Sequence, residues 1–243
     1  MKLKTYFAAL ALVVGSLAVA PAIGFAEEKP ADPPAAAGAP AQPPAAAAVE
    51  EEAPAGPAEV PLDALLKANG DIPDIIVGKP DAKIAIVEYA SLSCSHCANF
   101  HNKVLPDFKA KYLDTGTAKL IIREFPTSER ALVAHMLTRC AAPDKAPALL
   151  GELFHKQDEW AFSDGDPTPK LKEFATGIGG MTPEAFETCT KDQKLFDKLV
   201  ANFTAAGDKF GINATPTFFI DGKRVNDAAT METFDKLLAA EKK

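Results

Sequence analysis

The sequence predicts an α/β fold carrying an inserted all-helical subdomain, and three observations predict it. Two runs rich in β-branched and apolar residues, Ile84 to Tyr89 and Lys119 to Phe125, bracket a helical pattern that begins at Ala98. From Ser128 to about residue 205 the chain reads as helix almost throughout, which is too long for a connection. Strand character then resumes at Thr215, turns at Asp221-Gly222 and gives way to one last helix.

The N-terminal part lies outside this plan. Lys2 and Lys4 precede an apolar core from Tyr6 to Ala20, followed by small Gly24 and Ala26, so residues 1–26 read as an export signal cut after Ala26. The core is short and alanine-rich for a spanning helix, which leaves an uncleaved anchor as the weaker alternative. Residues 27–61 hold nine Pro and thirteen Ala, with seven acids against Lys29. That composition buries no core and reads as a disordered, semi-extended linker. Residues 62–243 are then one domain, with the insertion at about 128–205. Without the two signal lysines the chain has 24 basic and 33 acidic residues, a net of −9. The linker carries −6 of it, so the domain is mildly acidic and offers no electrostatic footprint for nucleic acid or an anionic membrane.

Within the domain, Leu62 to Leu66 start a short helix that ends by Gly70, and Asp74 to Gly78 read as an edge strand. Lys83 to Tyr89 have the composition of a strand buried on both faces. Phe100, Val104, Phe108 and Tyr112 form a helical stripe, with Pro106 expected to kink the helix inside it. Strand, helix and strand make a right-handed βαβ unit. The insertion breaks into helices over 129–141, 146–160, 169–176, 183–191 and 192–210. Thr230 is placed to cap the closing helix.

The chemistry centres on Cys94-Ser95-His96-Cys97, where a strand runs into a helix. Unpaired N–H groups at a helix N-terminus favour negative charge on the first sulfur. Cys94 therefore reads as the nucleophile and Cys97, one turn into the helix, as the resolving thiol. The alternatives are a structural disulfide, or a metal site on Cys94, Cys97, His96 and His101; a second cysteine pair at matching spacing is missing. Glu88 is a carboxylate in an apolar strand, suited either to relaying the Cys97 proton or to an ion pair with Lys119 or Arg123. Thr215-Pro216 opens a strand, where proline is tolerated. The other two cysteines, Cys140 and Cys189, fall on apolar helical stripes and are expected to pair, two buried free thiols being the alternative. His101, one turn beyond Cys97, reads as an exposed helix residue, with lining of the site rim as the alternative; His135 and His155 read as ordinary helix residues, and Trp160 as a core anchor, with substrate contact as the alternative.

Three ordered motifs carry a family resemblance: Val87-Glu88-Tyr89-Ala90-Ser91-Leu92-Ser93-Cys94-Ser95-His96-Cys97, Arg123-Glu124-Phe125-Pro126, and Gly211-Ile212-Asn213-Ala214-Thr215-Pro216-Thr217-Phe218-Phe219. With them the chain, from about Asp74 onward, resembles the DsbA-type thiol:disulfide oxidoreductases of bacterial envelopes. The resemblance implies a thioredoxin fold with an inserted helical subdomain and a periplasmic monomer without a cofactor or metal. It also implies transfer of a Cys94–Cys97 disulfide to reduced or unfolded exported proteins, with reoxidation by a DsbB-type, quinone-linked membrane partner. It further makes His96 a thiolate stabiliser, Glu88 a buried acid under the disulfide, and Thr215-Pro216 a cis peptide beside it that binds substrate. The family's strongest oxidants carry Pro-His between the cysteines where this chain has Ser95-His96. That departure, with threonine before the proline, keeps a disulfide isomerase or reductase as the rival reading; a metal-binding envelope protein is a more distant one.

Overall fold

A computed structural model describes residues 56–241. The expected signal at 1–26 and the linker up to residue 55 lie outside the described residues. The sheet has five strands in the order β1-β3-β2-β4-β5, formed by β1 (Ile75–Gly78), β2 (Ile84–Ala90), β3 (Ala118–Glu124), β4 (Thr217–Ile220) and β5 (Lys223–Val225). Only β2 and β3 run parallel, as the ends of the βαβ unit; the remaining pairs are antiparallel. All seven residues of β2 are buried, so the sequence's unbroken apolar run is that of a central strand covered on both faces.

Strand parity divides the core in two. Ile86, Leu120, Ile122, Phe218 and Ile220 face a large cluster that includes the helical insertion and Phe234 of the closing helix α10 (Met231–Glu241). Ala85, Val87, Tyr89, Ile121 and Phe219 face a smaller one with Leu65, Ala206 and Phe210. The second face is pinned by Arg123, whose side chain is 2% exposed. Its guanidinium donates to the carbonyls of Leu65 and Leu66 at 2.6 and 2.9 Å and to Asp74 at 3.0 and 3.2 Å. Arg123→Met fills the volume but strands these acceptors. We expect a loss of about 3 kcal/mol, read as a lower urea midpoint at unchanged slope.

The helix after the cysteine motif departs from regular α geometry twice. It runs as α2 (Ser95–Asn99), a π segment (Phe100–Val104), α3 (Leu105–Phe108) and a second π segment (Lys109–Leu113). Pro106 removes one backbone donor, and its ring would crowd the carbonyl four residues back. The widened turn before it relieves that crowding, so the expected kink is taken up as a π turn. Phe100, Phe108 and Tyr112 of the predicted stripe are buried.

The insertion comprises α4 (Glu129–Cys140), α5 (Ala146–His155), α6 (Gln157–Trp160), α7 (Thr168–Gly177), α8 (Pro183–Thr190) and the long α9 (Gln193–Phe210). Ser128, Thr182 and Asp192 cap α4, α8 and α9 through side-chain oxygens, as these residue types do. Trp160 is fully buried and donates to the Leu153 carbonyl at 2.9 Å. Among the described residues no helix is long and apolar enough to cross a membrane.

One boundary moves. The linker was expected to reach residue 61, yet Glu59 bridges Lys223 and Val60 is 5% exposed. The Arg224 N–H donates to the Ala58 carbonyl and the Val60 N–H to that of Gly222, both at 2.8 Å. Composition hid this because backbone pairing to an open strand edge needs no particular side chains.

Candidate active site

Cys94 is the N-cap of α2, in extended conformation, and its sulfur accepts from the Cys97 N–H at 3.4 Å. It is half-buried, whereas Cys97 is 0% exposed; both are free thiols here. Across the loop the Thr215–Pro216 peptide is cis, and the Cys94 thiol donates to the Thr215 carbonyl at 3.2 Å. The Cys94 pKa falls from 9.0 to about 5. The Cys97 thiol contributes most to that drop, against the opposing effect of burial, followed by the Thr215 side chain and the backbone N–H groups of Cys97 and His96. Burial pushes the Cys97 thiol strongly up, helped by its bond to Cys94 and the charge of Glu88. One sulfur is thus a ready thiolate and the other a held proton.

The ring of His96 is exposed, and what reaches the Cys94 sulfur from this residue is its backbone N–H. Exposure keeps the ring in water, where a charge would be screened.

A lowered folded pKa sets a stability window for the reduced protein. The contribution of the thiolate is absent below pH 5, grows as pH rises, and is complete only above the unfolded thiol's value near 9. Allowing for a partly solvated sulfur, reduced wild-type protein should exceed reduced Cys94→Ser by about 2 kcal/mol at pH 7, and the gap should vanish near pH 4. Chemical denaturation across that range checks it; a constant gap would refute the thiolate.

Comparison with known proteins agrees with this geometry. Residues 71–240 match a family model described as thioredoxin. The crystal structure of Wolbachia pipientis alpha-DsbA1 superposes with a TM-score of 0.63 at 31% identity, covering 72% of this chain and 94% of that one. The chain belongs to the thioredoxin family, as a DsbA-like member. A Rickettsia bellii protein named as a protein-disulfide oxidoreductase is 37% identical over 155 residues, covering 61% of this chain and 57% of that protein. The chain spans little more than half the length of such curated relatives. Oxidised BdbD from Bacillus subtilis shares the fold, with a TM-score of 0.63 at 20% identity, covering 77% of this chain and 97% of that one.

In this DsbA-like site Glu88 is completely buried, and its partner is neither Lys119 nor Arg123, the ion pair held as the alternative. Its Oε2 lies 2.9 Å from His101 Nε2, while Arg123 and Lys119 bond elsewhere. Parity is the reason. Glu88 stands beside Ile122 on the face toward α2, and Arg123 stands beside Tyr89 on the other. His101 is correspondingly buried rather than exposed, its ring stacked on Phe154 of α5 at 4.0 Å between centroids. A usable signal existed: His101 follows the buried Cys97 by four residues, which puts it on the same helix face.

Sequence reasoning missed what holds the loop before Cys94. Gln157, buried at the start of α6, donates from one amide nitrogen to the carbonyls of Leu92 and Cys94, at 2.8 and 3.0 Å. His135 of α4 accepts from the Leu92 N–H at 3.3 Å. Burial and the nearby Arg139 charge lower its pKa to about 3, so the ring is a neutral acceptor. On the outer side Ser91, Ser93, Thr127 and Ser128 join in a hydroxyl cluster with contacts of 2.9 to 3.2 Å. The insertion is therefore the back wall of the site.

Cys140 and Cys189 are bonded to each other, tying α4 to α8 with a Cα separation of 6.1 Å. Cys189 is buried, but Cys140 ends α4 at an exposed position instead of continuing its apolar stripe. His101, one of the four ligands of the metal alternative, is engaged with Glu88.

Proposed function

We propose that this chain oxidises thiols of reduced or unfolded exported proteins by passing on a Cys94–Cys97 disulfide. The observation that carries the reading is the split between a half-buried Cys94 that ionises near pH 5 and a buried Cys97 that keeps its proton, beside a cis proline. A substrate thiolate attacks Cys94 Sγ, the Cys94–Cys97 bond breaks, and Cys97 departs with the electron pair and takes a proton, for which Glu88 is the donor. A second substrate thiolate attacks the substrate sulfur of the mixed disulfide and Cys94 leaves as a stable thiolate. Two electrons have then passed from substrate to protein, and a stabilised Cys94 thiolate favours that direction.

The substrate segment lies beside the cis Thr215–Pro216 peptide, next to the Cys94 sulfur. The reading includes a periplasmic monomer, delivered by the N-terminal signal and reoxidised by a DsbB-type, quinone-linked membrane protein. Equilibration with glutathione buffers, together with a scrambled-disulfide refolding assay, tests it. We expect an oxidising potential, stoichiometric oxidation of a two-cysteine peptide and little rescue of scrambled substrate. A strongly reducing potential with efficient rescue would replace the oxidase by an isomerase or reductase.

A further inference from the structure

Glu88 poses a transport problem. A carboxylate that gives Cys97 a proton must be reloaded, and Glu88 is 0% exposed. Its strand neighbours in register are Ile122 and Phe218, both buried and apolar. Oε1 is buried with no hydrogen-bond partner, and Oε2 meets a single group, His101 Nε2, at 2.9 Å. The charge of Glu88 is felt at Cys97 and helps to raise its pKa. His101 is itself fixed by stacking on Phe154, and its neighbour Asn102 donates to the Phe154 carbonyl at 3.1 Å.

We propose that His101, 7% exposed against 0% for Glu88, is the proton conduit on the solvent side of Glu88, an inference that rests on the proton role given to Glu88 above. An imidazole suits the task because it takes a proton at one ring nitrogen while releasing another from the second. When the disulfide opens, the incoming thiolate bonds to Cys94 Sγ and the Cys94–Cys97 electron pair passes to Cys97 Sγ. Cys97 takes a proton from Glu88, Glu88 takes one from His101 Nε2, and His101 regains one through its other nitrogen. The sequence reverses when Cys97 attacks a mixed disulfide, and no electrons reside on Glu88 or His101 in either direction. His101 acts through Glu88 and is a positioning and relay residue.

The test follows release of glutathione from the Cys94 mixed disulfide, which is the Cys97 step, alongside iodoacetamide alkylation of reduced Cys94 as the control. His101→Phe keeps the volume and the stack on Phe154; His101→Gln keeps a donor for Glu88 but carries no proton. Both are expected to slow release by about tenfold or more at pH 7, with Cys94 alkylation unchanged. Glu88→Gln should slow it as much, and Glu88→Gln/His101→Phe no further than Glu88→Gln alone. Wild-type release in His101→Gln, or an added tenfold loss in the double variant, would overturn the conduit while leaving Glu88 in place. Wild-type release in Glu88→Gln would remove the proton role of Glu88 itself, and the conduit with it.

Discussion

Cys97→Ser is expected to end turnover and to leave the protein covalently joined to its substrates. The argument lies in which property each sulfur supplies. Cys94 owes its low pKa first to the hydrogen bond from the Cys97 side chain, and a serine hydroxyl still offers that donor. Cys94 in the variant therefore remains a thiolate and still exchanges with a substrate disulfide. What is lost is the attack of Cys97 on the mixed disulfide so formed, and with it the Cys94–Cys97 bond that the protein passes on. Mixed disulfides should accumulate on non-reducing gels, and steady-state exchange should fall by at least about a thousandfold, the scale at which removing one member of a cooperating set acts. Cys97→Ala sharpens the test. It removes the donor as well, so Cys94 alkylation should titrate closer to an ordinary thiol, while the Ser variant titrates near pH 5. Equal titration curves in the two variants would refute the assigned cause.

The second large effect falls on stability. The bond between Cys140 and Cys189 closes a loop with a sequence separation of 49, for which the chain-entropy model gives about 4 kcal/mol. Cys140→Ala/Cys189→Ala should lose about that much as an upper figure, with a melting temperature lower by about 10 °C for a domain of this size. Because Cys140 is exposed, a soluble reductant should reach the bond in the native protein and reproduce most of the loss. A double variant as stable as the wild type would show that the reduced chain already holds α8 against α4.

The order of elements was legible because each rests on local chemistry. Apolar runs marked β2 and β3, Asp221-Gly222 marked a hairpin turn whose two residues both adopt positive φ, and Thr230 caps α10. The cysteine motif was legible for the same reason, since a helix begins at it. What stayed hidden depends on faces and distances between elements. Glu88 and Arg123 look like partners in one dimension, and only the pleat puts them on opposite sides of the sheet. Gln157 lies 63 positions from Cys94 and carries no motif; its amide counts only because α6 is packed behind the loop. The depth of His101 follows from burial of Cys97, a fact about packing that a surface reading of the helix overlooks.

The segment joined to β5 has a consequence for how this domain can be handled. Gly56 and Gly211 approach so closely that a Cβ on Gly56 would stand 2.6 Å from the Gly211 carbonyl oxygen, and one on Gly211 would stand 2.5 Å from Gly56 Cα. The Arg224 side chain reaches the carbonyls of Pro57 and Phe210 across the same junction. A recombinant fragment started at Leu62, where the composition changes, would uncover a strand edge with free N–H and C=O groups at Arg224 and Gly222. Such an edge is a template on which a second chain can build, so a fragment meant to stay dispersed at high concentration should begin no later than Gly56.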